Sequence, residues 1–350
     1  MKLINRTPLI EGSLFSGYDG IGLALKEMGL VTETAWYCDP DPGAAALLAH
    51  HHPDVPNLGD IMRVGLDIPD DEWKAMIKQA AEFVSYVLPE PDWSGVPPVD
   101  ILTGGFPCQD ISNAGKRVGI TGARSALWKY YVRAIRALRP RLIFVENVAV
   151  LRTRGLEVVL ADLAELGFDA EWVTLTASAV GAPHVRNRMF LVAQNTQCEP
   201  RDERGLTAPG QAERGRSRTD PGGRGRMAVA DADSIELREQ SGWSGGANGP
   251  SAAIAGWSDE TALDWREFEA GVRRWEGILG RFAPEPTVPG VRRSHVLSPH
   301  LTEWMMGLPE GWITGVPGLT RNQQIKLAGN GVVPQQAAYA FVHLLERLAH

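Results

Sequence analysis

Short apolar runs alternate with helical spacing over the first two hundred residues. Leu9–Leu14 reads as a strand, a glycine-rich turn follows, and apolar positions at helical spacing continue through Leu23–Met28 until Gly29 closes them. Val31–Tyr37 predicts a second strand and Ala44–Ala49 part of a second helix. Leu58–Ile61 predicts a short strand, Glu72–Val87 a helix with an apolar stripe, and Val99–Thr103 a strand ending in Gly104-Gly105. Arg124–Leu138 predicts a long helix, Leu142–Val145 a strand, and Leu156–Leu166 a helix capped by Gly167. Trp172–Thr176 and Met189–Ala193 read as the closing strands. Alternation of this kind implies the α/β class, with a parallel sheet covered on both faces.

The texture changes near Gln194. Residues 201–226 hold seven arginines, four acids and no aromatic side chain, and residues 240–257 are rich in Gly, Ser and Ala. Helical spacing returns with Trp265, Phe268, Val272 and Trp275, then at Leu301–Met306 and in the amphipathic stretch Gln335–Leu348. Residues 194–295 therefore read as an inserted module. The division that follows is a larger domain over 1–193, completed by 322–350, and a smaller one over 194–321.

Composition adds exclusions. With 44% apolar and 22% charged residues, the chain is neither a disordered polymer nor a fibre. No apolar run reaches the roughly 18 residues of a membrane span, and Met1–Arg6 is too polar for a secretion signal. Three scattered cysteines, Cys38, Cys108 and Cys198, argue against a disulfide framework or a zinc site. The expected setting is the reducing cytoplasm, with no metal and no membrane partner. The formal charge of −7 is unevenly spread. Residues 1–100 carry 6 Lys and Arg against 16 Asp and Glu, whereas residues 101–190 carry 12 against 7. A polyanion responds to the local field over about 8 Å at physiological salt, so the middle third can face a phosphate backbone while the first third faces away.

The candidate chemistry sits at the predicted strand ends. Phe15-Ser16-Gly17-Tyr18-Asp19-Gly20-Ile21-Gly22 follows the first strand with spacing G-x-x-G-x-G. That differs from the G-x-G-x-x-G of a pyrophosphate cradle and favours a ligand without phosphates at this turn. Asp39 ends the second strand, where an acid can hold ribose hydroxyls, and Asp60 beside Ile61 ends the third, where one can accept from an adenine amino group. Pro107-Cys108-Gln109 offers a thiol on a rigid turn, near the basic Lys116, Arg117 and Arg124. Glu146 follows an apolar strand, where partial burial raises a carboxyl pKa toward the range useful for proton transfer. Arg186 and Arg188 lie two apart just before the last strand. A nucleophile, an acid and an arginine around one rim suit covalent attack on an electron-poor ring.

Taken in order, Leu14–Gly22, Gly59-Asp60-Ile61, Pro107-Cys108-Gln109, Glu146-Asn147-Val148, Arg186-Asn187-Arg188 and Gly329-Asn330-Gly331-Val332-Val333 resemble the C5-cytosine DNA methyltransferase family. Ser112–Arg117 with Arg124–Trp128 is similar to that family's mobile catalytic loop. The resemblance implies a Rossmann-like S-adenosylmethionine-dependent fold, with 194–321 as a DNA target-recognition domain. It implies S-adenosyl-L-methionine as methyl donor, S-adenosyl-L-homocysteine as product, and a flipped-out cytosine as acceptor. Cys108 would add to C6 with Gln109 beside it, Glu146 would hydrogen-bond the N3/N4 edge, Arg188 would contact O2, and Arg186 would support the loop or a phosphate. Phe15, Gly17, Gly20, Gly22, Asp39, Asp60, Ile61, Pro107, Asn330 and Val332 would hold the cofactor, and Ser112, Lys116, Arg117 and Arg124 the DNA. The implied partner is double-stranded DNA bound by a monomer, with a cognate restriction endonuclease as an optional companion. The chain departs from the family's pattern at Pro40, where an aromatic residue is frequent, at His184 in place of Gln, and at Gly331 in place of Ser or Ala. Competing readings are an RNA cytosine methyltransferase and a DNA-binding relative without turnover.

Overall fold

The apolar run Leu9–Leu14 becomes β1, an interior strand of a six-stranded sheet, in a computed structural model that describes residues 8–82, 87–107, 127–197, 265–290 and 294–349. The other strands are β2 (Val31–Cys38), β3 (Ile101–Gly104), β4 (Leu142–Val148), β5 (Phe168–Thr176) and β6 (Asn187–Asn195), in the order β2-β1-β3-β4-β6-β5. The first four are mutually parallel. β6 runs antiparallel to both its neighbours, which corrects the expectation of an all-parallel sheet. The physical reason is the connection: between β5 and β6 lie only residues 177–186, with one 3-10 turn at Ala177–Val180. A parallel crossover needs about a dozen residues or more, usually including a helix.

The helices are α1 (Gly20–Glu27), α2 (Pro42–His51), α3 (Asp70–Glu82), α4 (Leu127–Leu138), α5 (Leu156–Glu165), α6 (Glu269–Leu279), α7 (Pro299–Met305), α8 (Arg321–Asn330) and α9 (Pro334–Leu348). A short antiparallel pair, β7 (Thr287–Pro289) with β8 (His295–Leu297), stands apart from the main sheet. α4 and α5 bury Trp128, Tyr131, Ile135, Val159 and Leu163 against one sheet face. α1 and α9 bury Leu25, Phe341 and Leu344 against the other. A third cluster joins Val272 and Trp275 of α6 and Trp304 of α7 to Tyr37, Leu47 and Leu327. The Trp265–Trp275 stripe is thus partly a packing stripe: Trp275 is fully buried and donates its indole N–H to Trp304 O at 3.0 Å. Among the described residues no helix is long and apolar enough to cross a membrane.

The strand expected over Leu58–Ile61 does not form. Only an isolated bridge joins Tyr37 to Asn57. Side chains capture the backbone there instead: Asn57 Oδ1 accepts from the N–H of Asp39 and of Gly59, both at 3.0 Å, and Asp60 Oδ1 accepts from Met62 N–H at 2.9 Å. Such local bonds compete with a ladder. The expected cysteine Cys108, with Gln109, Ser112, Lys116, Arg117 and Arg124, lies outside the described residues, as do Cys198 and residues 198–264.

One buried acid in the sheet has a pH signature. Glu11 on β1 is fully buried and accepts from Thr103 Oγ1 at 2.6 Å and Thr34 Oγ1 at 3.0 Å. Burial, and then the nearby Asp19 charge, pushes its carboxyl from the ordinary 4.5 up to about 7, against the opposing pull of Thr103, Lys26 and Thr34. The folded state therefore binds the proton more tightly than the unfolded chain. The stability this contributes is present below pH 4.5 and is lost as pH rises through 7. Glu11→Gln is expected to flatten that fall, seen as a smaller loss of Tm between pH 5 and pH 8 than in the wild type. An unchanged pH dependence would place the titration elsewhere.

Candidate functional site

β1 has β2 on one side and β3 on the other, so the chain switches direction across the sheet there, and ligands of open α/β sheets bind outside the strand ends at such a point. A cavity of about 640 Å³ opens at that place, within the range of small-molecule sites. It is lined by Phe15 and Gly17 after β1, by Asp39 to Pro42 after β2, by Gly105 to Pro107 after β3, and by Glu146 to Val148 at the end of β4. Asp60, Ile61, Arg188, Lys326 and Asn330 also line it. Strand ends far apart in sequence thus supply one rim.

The floor is set by the turn after β1. Phe15 takes a left-handed conformation (φ 52°), uncommon for a residue with a side chain. Its ring stacks on Tyr131 of α4 at 6.4 Å. Gly17, also left-handed (φ 56°), donates its N–H to Asp39 Oδ2 at 2.8 Å, while Asp39 Oδ1 accepts from Asp41 N–H at 2.9 Å. Each carboxylate oxygen keeps a further lone pair, so Asp39 can still accept from ligand hydroxyls. Burial raises its pKa, and the two N–H groups offset part of that. Asp41 was not anticipated. Its side chain caps α2 through Gly43 N–H and Ala44 N–H and pairs with Lys326 of α8. Burial alone would raise the Asp41 carboxyl, but Lys326 and the helix N–H groups hold it below its ordinary value. An Asp-Pro step at a helix start is a legible cap. Its partner, 285 residues away, carries no local signal.

The second wall holds the charged pair. Glu146 is 7% exposed, and its Oε1 meets Arg188 Nε at 2.8 Å. Burial raises the Glu146 pKa despite the opposing charges of Arg188 and Arg186. Gly105 gives the carboxylate its room: a Cβ there would stand 2.9 Å from Glu146 Oε2. Asn147 donates to Phe106 O at 3.1 Å and accepts from Val148 N–H at 2.8 Å, tying the end of β4 to the chain just before Pro107. Arg186 points away from this pair. Its guanidinium donates to Gly329 O at 3.1 Å and to Gly331 O, so it clasps the turn that carries Asn330. Its backbone carbonyl accepts in turn from the buried Gln336 at 3.1 Å. His184, two residues before Arg186, has neither ring nitrogen hydrogen-bonded. Burial, and then the two arginines, lowers its pKa to about 4, leaving it neutral at pH 7.

The structure therefore brings Phe15, Gly17, Asp39, Asp60, Ile61, Pro107, Glu146, Arg188 and Asn330 to one cavity. Gly20 and Val332 border a smaller space of about 40 Å³ next to it. Gly22 instead packs beneath the Asp19 side chain.

A family model described as "C-5 cytosine-specific DNA methylase" matches residues 11–217, more than half of the chain. Among curated proteins, the Bacillus subtilis (strain 168) type II methyltransferase M2.BsuMI is 33% identical over 198 residues, covering 54% of this chain and 43% of that protein. The Neisseria gonorrhoeae type II methyltransferase M.NgoBV is 30% identical over 194 residues, covering 51% and 39%. The match thus spans less than half the length of either relative. Among solved structures, the Entamoeba histolytica methyltransferase EhMeth superposes with a TM-score of 0.56 at 15% identity, over 98% of this chain and 99% of that one. The S. pombe Dnmt2 methyltransferase gives 0.53 at 14%, over 98% and 100%. These structures bear out the α/β fold, and the matched family model, together with the site it spans, makes this chain a member of the C-5 cytosine-specific DNA methylase family.

Proposed function

We propose that the chain transfers a methyl group to C5 of a flipped-out cytosine in duplex DNA, through a covalent adduct of Cys108. The observation that carries the reading is the Glu146–Arg188 pair on the wall of a cavity that Phe15, Asp39 and Asp60 also line. That donor set fits S-adenosyl-L-methionine: an acid for ribose hydroxyls, an acid for an amino group, and aromatic and apolar surface from Phe15 and Ile61. When bound, this cofactor supplies an electrophilic methyl group and leaves as S-adenosyl-L-homocysteine.

The remaining roles belong to the protein. Cys108 adds as thiolate to C6 of the base, which raises electron density at C5, and it is expelled when the C5 proton is lost. Glu146, whose carboxyl pKa is raised by burial, hydrogen-bonds the N3/N4 edge and offsets the charge that builds on the ring. Arg188 orients Glu146 and offers its remaining N–H groups to O2. Arg186 holds the Gly329–Gly331 turn, and with it Asn330, against the cofactor edge. Lys116, Arg117 and Arg124 contribute phosphate contacts, and the chain acts in the cytoplasm as a monomer.

Bisulfite sequencing of DNA from cells expressing the chain tests this. The expected result is conversion of cytosine to 5-methylcytosine in one sequence context. Methylation confined to RNA from the same cells would move the substrate to the alternative reading, and no 5-methylcytosine in either would reject the activity.

A further inference from the structure

Two turns meet at the inner end of the cavity. One is the turn after β1, residues 15–19; the other is Gly329–Val333 between α8 and α9. Tyr18 lies between them and is fully buried. Its hydroxyl donates to Val332 O at 2.6 Å, and its backbone carbonyl accepts the Trp312 indole N–H at 2.9 Å. A Cβ built on Gly331 would stand 1.8 Å from Tyr18 Cε1, with Tyr18 Cζ and Cδ1 the next nearest atoms. The Gly331 backbone itself is extended (φ −81°, ψ −170°), a conformation open to any residue. Glycine is therefore required at 331 by the tyrosine and not by the backbone. The small space of about 40 Å³ beside the main cavity is walled by both turns, through Ser16 and Gly17 of the first and Asn330, Gly331 and Val332 of the second.

We propose that Tyr18 is a positioning residue that interlocks with the bare Gly331 backbone and so sets the spacing between the two turns that hold the cofactor. The inference rests on the cofactor reading given above. Tyr18 borders neither space itself; it acts through Gly17 and Asn330, which do. Interiors are packed closely enough that an added methyl displaces its neighbours instead of being absorbed.

A double-mutant cycle decides it, with Tm and the Kd for S-adenosyl-L-homocysteine as the two readouts. Gly331→Ala alone is expected to raise Kd by about tenfold or more, since overpacking of this kind costs one to a few kilocalories per mole. In a Tyr18→Leu background the same Gly331→Ala change is expected to alter Kd by no more than about twofold, because the ring that excludes the methyl is gone. Equal penalties in both backgrounds would overturn the interlock, as would a double variant that folds no better than Gly331→Ala alone. Leu344→Ala on α9 serves as a control that lowers Tm by removing core volume. If it weakened binding as much as Gly331→Ala, general loss of stability would account for the effect and the positioning role would fall. A wild type that binds no S-adenosyl-L-homocysteine counts against the cofactor reading, and the Tm cycle then still decides whether the two residues interlock.

Discussion

Glu146→Gln is expected to lower methyl transfer by about two to four powers of ten while leaving S-adenosyl-L-homocysteine affinity near that of the wild type. The amide keeps the shape of the carboxyl and one oxygen for Arg188, so the pair at 2.8 Å is replaced and not simply lost. What disappears is the ability to share a proton with the ring. That ability depends on burial: Glu146 is 7% exposed, and desolvation lifts its pKa against the pull of two arginines. The cofactor side of the cavity is supplied by other elements, chiefly the turn after β1 and Asp39, so its affinity has no direct reason to change. Single-turnover rates and calorimetry on the same preparation measure both halves. Unchanged rate with weakened cofactor binding would assign Glu146 to the cofactor instead.

Exchange of residues 198–264 for the equivalent stretch of a relative with a different recognition site is expected to move methylation to that other site. The sequence motive is the arginine-rich composition of 201–226. The structure narrows where the cut belongs. Val272 and Trp275 of α6 share a buried cluster with Ala177, Ala182 and Leu327, which also lines the cavity, so α6 is built into the core beside it. Arg274 also donates to Gly181 O at 3.3 Å, in the segment that leads to Arg186. Cutting at 295, as the composition alone suggests, would remove these contacts and destabilise the whole. Base-edge contacts by arginine discriminate by about 1–3 kcal/mol per good pair, whereas phosphate contacts carry no sequence information directly. Methylation persisting at the original site would place recognition outside 198–264.

Much of the site was legible because its residues follow strand ends. Phe15, Asp39 and Glu146 each sit where an apolar run stops, and the parallel strands gather such ends on one edge; Arg188 sits where a run begins, and reaches the same edge because β6 is antiparallel. Asp60 was legible for a partly wrong reason: it reaches the cavity from an Asx-type turn and not from a strand. The orientation of β6 was hidden because strand patterns carry no direction; only the length of the 177–186 connection decides it. Contacts between distant segments had no local signal at all. Tyr18 with Gly331, Arg186 with Gly329, and Asp41 with Lys326 become visible only once the C-terminal helices pack against the first turn. Gly331 shows the difference in kind. In sequence it stands out as a departure from Ser or Ala, and in the fold its missing side chain is filled by Tyr18.

Covalent trapping on duplex DNA carrying 5-fluorocytosine tests the central claim most directly. Fluorine at C5 cannot be lost as a proton, so the Cys108–C6 bond persists after transfer. The account predicts a denaturation-resistant adduct that requires S-adenosyl-L-methionine, survives in Cys38→Ala and Cys198→Ala, and is absent in Cys108→Ala. An adduct of equal yield with Cys108→Ala would contradict it.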